Sequence, residues 1–90
     1  MSIVIEHDVS QSRLDELGVG SWPIWTKEPS KFRWTYDETE TCYFLEGDVV
    51  VTPKGGEPVP MGKGDLVTFP SGMVCTWDVR EAVRKHYRFG

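Results

Sequence analysis

Glycine and proline punctuate this chain so densely that long helices are excluded over most of it. Nine glycines and six prolines fall among 90 residues, and from Gly47 to Gly72 they recur every few positions. Such clusters are turn signals. The residues between them read as short strands. Lys31–Tyr36 alternates, with Phe32, Trp34 and Tyr36 on one face and Arg33 and Thr35 on the other. Thr41–Leu45 is an apolar run, and Asp48–Thr52 follows Gly47. Pro53–Gly56 predicts a turn, with Pro58–Met61 as the returning strand. Gly62–Asp65 predicts a second turn before Leu66–Phe69, and Pro70–Gly72 a third before Met73–Val79. Val83–Phe89 alternates again, placing Val83, Lys85, Tyr87 and Phe89 opposite Arg84, His86 and Arg88. Short strands at near-regular spacing predict an all-β sandwich or barrel.

One helix is expected, over residues 10–18. Ser10 suits the N-cap, Val9 and Leu14 suit a hydrophobic staple across it, and Gly18 suits the stop. Leu14 and Leu17 would face inward.

Composition narrows the function. The length allows a single domain, residues 1–90. Fourteen acidic residues against ten basic ones leave a net charge of −4, which disfavours nucleic acid as a partner. The basic residues concentrate late: residues 61–90 carry five basic and three acidic groups, residues 1–60 five and eleven. On a solvated strand face this is ordinary charge alternation. The apolar runs are too short to span a membrane as helices. The N-terminus shows neither the basic nor the apolar region of a secretory signal, so a cytoplasmic, reducing location is expected for the two cysteines. A chain this small gains from self-association, and a homodimer is expected.

Two spacings carry more. Glu40-x6-Gly47 reads ETCYFLEG, and Gly64-x5-Pro70-x-Gly72-x2-Cys75 reads GDLVTFPSGMVC. The framework residues have physical roles of their own. Gly47 is expected to end a strand at a sharp turn. Gly64 and Asp65 suit a turn that tolerates positive φ. Pro70 stops a strand for want of a donor, and Gly72 permits the next bend.

These spacings resemble the two motifs of the cupin family, G-x5-H-x-H-x3,4-E-x6-G and G-x5-P-x-G-x2-H-x3-N. The resemblance runs from about Trp34 to Val79 and implies a cupin (RmlC-like) jelly-roll β-barrel with one short N-terminal helix. The chain is most similar to small one-domain cupins grouped with the cupin domain of (S)-ureidoglycine aminohydrolase. Those share the Trp-Pro-Ile-Trp segment, the Glu-Thr-Cys-Tyr strand and the Gly-Asp-Leu-Val turn.

The family's chemistry lies in two or three histidines and a glutamate that hold a metal inside the barrel. Carried over residue by residue, Glu40 matches the glutamate. The first-motif histidines fall on Trp34 and Tyr36, or on Arg33 and Thr35 with the longer spacer. The second-motif histidine falls on Cys75 and the asparagine on Val79. A metal site needs three or four protein ligands. The two histidines, His7 and His86, stand elsewhere, so no metal and no cofactor are expected.

Strand alternation then supplies a cavity list: Trp34, Tyr36, Glu40, Cys42, Phe44, Phe69, Cys75 and Trp77. Glu40 would be a lone buried carboxylate. Burial disfavours its charged form and would suit it to act as an acid or base near neutral pH. Tyr36 and Cys75 are candidate assistants, although no inward cation is evident to activate a thiol. Trp22 and Trp25 read as packing or dimer-surface residues.

Three functions stay open: a metal-free cupin that binds an unknown small molecule around Glu40, an enzyme of the ureidoglycine aminohydrolase type using Glu40 as acid/base, and a non-catalytic structural or dimerisation module.

Overall fold

The computed structural model describes residues 2–90. Strand β1 (Val4–Glu6) leads into α1 (Gln11–Leu17) and a single 3₁₀ turn at Val19–Ser21. Six strands follow: β2 (Ile24–Lys27), β3 (Ser30–Thr35), β4 (Glu40–Pro53), β5 (Val59–Gly62), β6 (Leu66–Phe69) and β7 (Val74–Phe89).

The helix forms for the reasons its sequence suggests. Ser10 Oγ accepts from the Arg13 amide at 3.2 Å, and Gly18 closes the helix in the left-handed region. Val9, Leu14 and Leu17 pack with Val19, Trp22 and Tyr43 into a small cluster of their own. The Arg88 guanidinium covers the Trp22 ring at 4.6 Å.

All strands pair antiparallel in one seven-stranded sheet of order β1-β6-β4-β7-β2, with β3 added on β7 and β5 on β4. Two features depart from the sequence expectation. The short strands β1 and β2 were not anticipated. The segments 41–45 and 48–52 are also one strand, as are 74–79 and 83–89, so β4 and β7 form a long ladder.

Gly47 therefore does not end a strand. It lies inside β4 with φ 128°, where the β4–β7 register shifts. A Cβ there would stand 3.1 Å from the Val83 backbone and 3.0 Å from its side chain. Glycine is needed because the two long strands approach closely at the bulge where the sheet bends. Pro70 and Gly64 behave as expected. Strand β6 ends at Phe69, and Gly64 turns with φ 90°.

The main core lies between the folded halves of the sheet. Val49, Val51, Val67, Phe44, Phe69, Trp77, Tyr36, Cys42 and Cys75 are its largest fully buried members. This is the all-β jelly roll that the motifs imply.

Candidate functional site

The site is built on the upper half of the long ladder, where Glu40–Glu46 of β4 pairs with Arg84–Phe89 of β7. Inward parity runs through Glu40, Cys42 and Phe44 on β4. On β7 it runs through Cys75, Trp77, Val79, Val83 and Lys85. Lys85 thus stands on the apolar face of its strand, in register with Phe44. Its ammonium reaches along that face and donates to Glu40 Oε2 at 2.8 Å. The two side chains are only 5% and 6% exposed.

A buried ion pair must offset the loss of hydration of both charges. Here part of that offset comes from aromatic faces. Lys85 Nζ lies 4.6 Å from the Trp77 ring centroid, 4.9 Å from Trp25, and 5.9 Å from Phe44 and from Phe69. Each ring presents its negative face to the ammonium. The rings hold one another in place. Tyr36 stacks on Phe69 at 4.7 Å and Phe32 on Trp77 at 6.0 Å, while Trp25 meets Trp77 edge-on at 6.0 Å. The Tyr36 backbone is fixed at both ends: its amide donates to Met73 and its carbonyl accepts from Gly72.

The pair forms the polar part of a cavity of about 280 Å³, walled mainly by Trp25, Phe32, Tyr36, Trp77 and Tyr87. Trp34 and Phe89 stand at its rim, 48% and 47% exposed. Among the described residues, the Trp77 indole Nε1 is the one buried side-chain donor with no hydrogen-bond partner.

Of the residues expected to line the barrel, Trp34, Tyr36, Glu40 and Trp77 do so. Cys42, Phe44 and Phe69 share the inward parity but lie one layer deeper, packed into the core and sealed from the cavity. They hold the wall and do not form it. Cys75 shares the inward parity but does not reach this cavity. Its Sγ donates to the Trp34 carbonyl at 3.6 Å, and it lines a separate hollow together with Arg33, Lys54 and Thr76.

Neither thiol is activated. Burial pushes Cys42 up to about 12 and raises Cys75 as well, so both stay protonated at neutral pH. Burial, reinforced by the Glu40 charge, also holds the Tyr36 hydroxyl far above the ordinary phenol range. Tyr36 is thus a hydrogen-bonding wall group that does not give up its proton.

The lone carboxylate expected from the sequence is instead half of an ion pair, and the missing inward cation is Lys85. Its signal was legible: Val83-x-Lys85-x-Tyr87-x-Phe89 places a lysine on an apolar face. Residue type argued for solvent, and only the tertiary pairing with Glu40 shows why it is buried. Trp25, Phe32, Tyr87 and Phe89 were also absent from the expected lining. Phe32 shares its parity with Trp34. Trp25 arrives on β2, which pairs β7 at Lys85.

The cupin fold implies a metal, and the residues here do not fit one. The only family ligand type present, Glu40, already faces an ammonium, and a metal cation beside it would meet like charge. Both histidines are engaged outside the pocket. His7 Nδ1 meets Asp65 Oδ1 at 2.8 Å, and His86 Nδ1 donates to the Trp22 carbonyl at 2.9 Å. Among the described residues no three His, Cys, Asp or Glu side chains converge. No described helix is long and apolar enough to cross a membrane.

Comparison with known proteins places the chain. The EutQ-like cupin domain profile matches residues 14–87. A DUF861 family protein from Thermotoga maritima is 52% identical, with 99% of this chain and 100% of that chain covered and a TM-score of 0.95. A DUF861 family protein of unknown function from Pseudomonas syringae pv. tomato is 26% identical. That alignment covers 74% of this chain but 29% of that one, with a TM-score of 0.67. The EutQ protein of Clostridium difficile shares the fold at 20% identity, with 97% of this chain and 66% of that chain covered and a TM-score of 0.68. Among curated proteins, no sequence matches this chain. The chain belongs to the EutQ-like cupin domain family.

Proposed function

We propose that this protein binds a small, planar, uncharged molecule in the aromatic cavity, oriented by Glu40 and Lys85. The observation that carries this reading is the 2.8 Å Glu40–Lys85 pair on the wall of an otherwise apolar cavity. Its volume is just under the usual range for small-molecule sites, about 300–1,000 Å³, and suits a single ring with a short substituent. The open cavity favours a binding role over a barrel filled by its own side chains.

Charge selects the ligand class. The pair is neutral as a whole, so a singly charged ligand would bring an uncompensated charge into an apolar site. An amide or urea carries no net charge. Its N–H can donate to Glu40, and its carbonyl can accept from Lys85. Its flat face can stack on Trp77 or Phe32. The resemblance read from the Trp22–Trp25, Glu40–Tyr43 and Gly64–Val67 segments to the ureidoglycine aminohydrolase group supports the same class of small nitrogen compounds. It lends the ligand class and not the reaction, which there relies on a metal.

Tryptophan fluorescence offers a direct test, because Trp25, Trp34 and Trp77 all border the cavity. Titration with benzamide, benzoate and benzylamine should give saturable quenching by benzamide. The two ions should bind at least about tenfold more weakly, a difference of roughly 1.4 kcal/mol. Equal or tighter binding of either ion would overturn the reading.

A further inference from the structure

Lys85 has a second capacity in this setting. We propose that it captures a small aldehyde or ketone as a Schiff base, with Glu40 moving the protons. The inference rests on the cavity being a ligand site and narrows its ligand to a carbonyl compound.

Three observations carry it. Lys85 is one of the residues that line the cavity, together with its partner Glu40. Glu40 Oε2 stands 2.8 Å away, within proton-transfer distance of the nitrogen. Four aromatic rings within 6 Å of Nζ provide a place for a cation that is neither hydrated nor free to leave. A ligand that merely displaced Lys85 would leave Glu40 buried without its partner, which is costly. An iminium avoids that loss, because it keeps one positive charge on the same nitrogen.

The step balances without a further reagent. Glu40 takes a proton from the ammonium, freeing the lone pair of Lys85. That pair attacks the carbonyl carbon, a C–N bond forms, and the carbonyl oxygen takes the proton from Glu40. Glu40 then removes a second proton from the nitrogen and delivers it to the hydroxyl, which leaves as water. The C=N bond forms, the iminium faces the Glu40 carboxylate, and one water is released for each carbonyl consumed.

The test uses the full-length wild-type chain. Separate samples are treated with benzaldehyde and with propanal in the presence of cyanoborohydride, which reduces any imine to a stable amine. Peptide mass spectrometry then compares Lys85 with the exposed Lys31, Lys54 and Lys63. With at least one aldehyde, Lys85 should be alkylated at least about tenfold faster than any of these three, and benzamide should protect it. Glu40→Gln should slow labelling at Lys85 and leave the exposed lysines unchanged. Should that variant not fold, the comparison among wild-type lysines decides alone. Labelling of Lys85 no faster than the exposed lysines with both aldehydes overturns the inference. If benzamide still quenches tryptophan fluorescence in that case, the binding reading stands while the Schiff base falls. If benzamide fails as well, both fall together.

Discussion

The two halves of the β4–β7 ladder use the same alternation to opposite ends. Below the bend, Val49 and Val51 of β4 face Trp77 and Val79 of β7 in a packed core. Above it, Glu40 and Lys85 occupy inward positions of the same two strands and border an open cavity. The lower half is stabilised by non-directional burial, roughly 25 cal/mol per Å² of apolar surface. The upper half depends on one matched pair of charges, so its stability is conditional on both partners. The half that holds the buried ion pair is therefore the half most easily broken.

That contrast can be tested from its largest consequence downward. Glu40→Gln or Lys85→Met alone should destabilise the fold by about 3–5 kcal/mol in urea denaturation, because each leaves a buried charge unpaired. The double variant should recover most of that loss. If the single variants lost less than about 1 kcal/mol, the pair would be hydrated in solution and the contrast between the halves would fail. In the lower half, Val51→Ala should cost about 2 kcal/mol through lost packing, with no partner substitution able to restore it and no change in benzamide binding.

Gly47 joins the two regions. Gly47→Ala should cost about 1–3 kcal/mol, because φ 128° and the 3.1 Å approach to the Val83 backbone both oppose a Cβ. A neutral result there would mean that the bulge yields and that the two halves are not rigidly linked.

The smallest effect is set by pH. Cys42 is held protonated in the fold, up to about 12, against an ordinary value of 9.0. Between those values the native state binds more protons than the unfolded chain, so stability falls with rising pH. The contribution is complete below about pH 9 and is lost progressively towards pH 12, with Tyr36 acting in the same direction. Melting temperatures at pH 8 and pH 10 should show the first part of this decline, and Cys42→Ala should flatten it.

Local physics made much of the framework readable. Ser10, Val9 and Gly18 specify their helix through short-range contacts, and Gly64 and Pro70 specify turns through backbone constraints that no distant residue alters. Strand parity, which depends only on alternation, correctly placed Tyr36, Glu40 and Trp77 on the inner side. Parity could not distinguish residues on the cavity wall from those one layer behind it, and so Cys42, Phe44 and Phe69 were counted as lining. Depth depends on how far the sheet folds over itself, and that is a property of the whole ladder.

What the sequence determined alone was the all-β framework and the absence of histidines at the family's metal positions, because both are written in residue type and spacing. The tertiary structure decided what Glu40 is paired with. Glu40 and Lys85 are 45 residues apart in the chain. A lysine on an apolar strand face reads locally as a solvent-seeking charge. Only when β7 pairs with β4, and β2 brings Trp25 over the ammonium, does burying that charge become favourable.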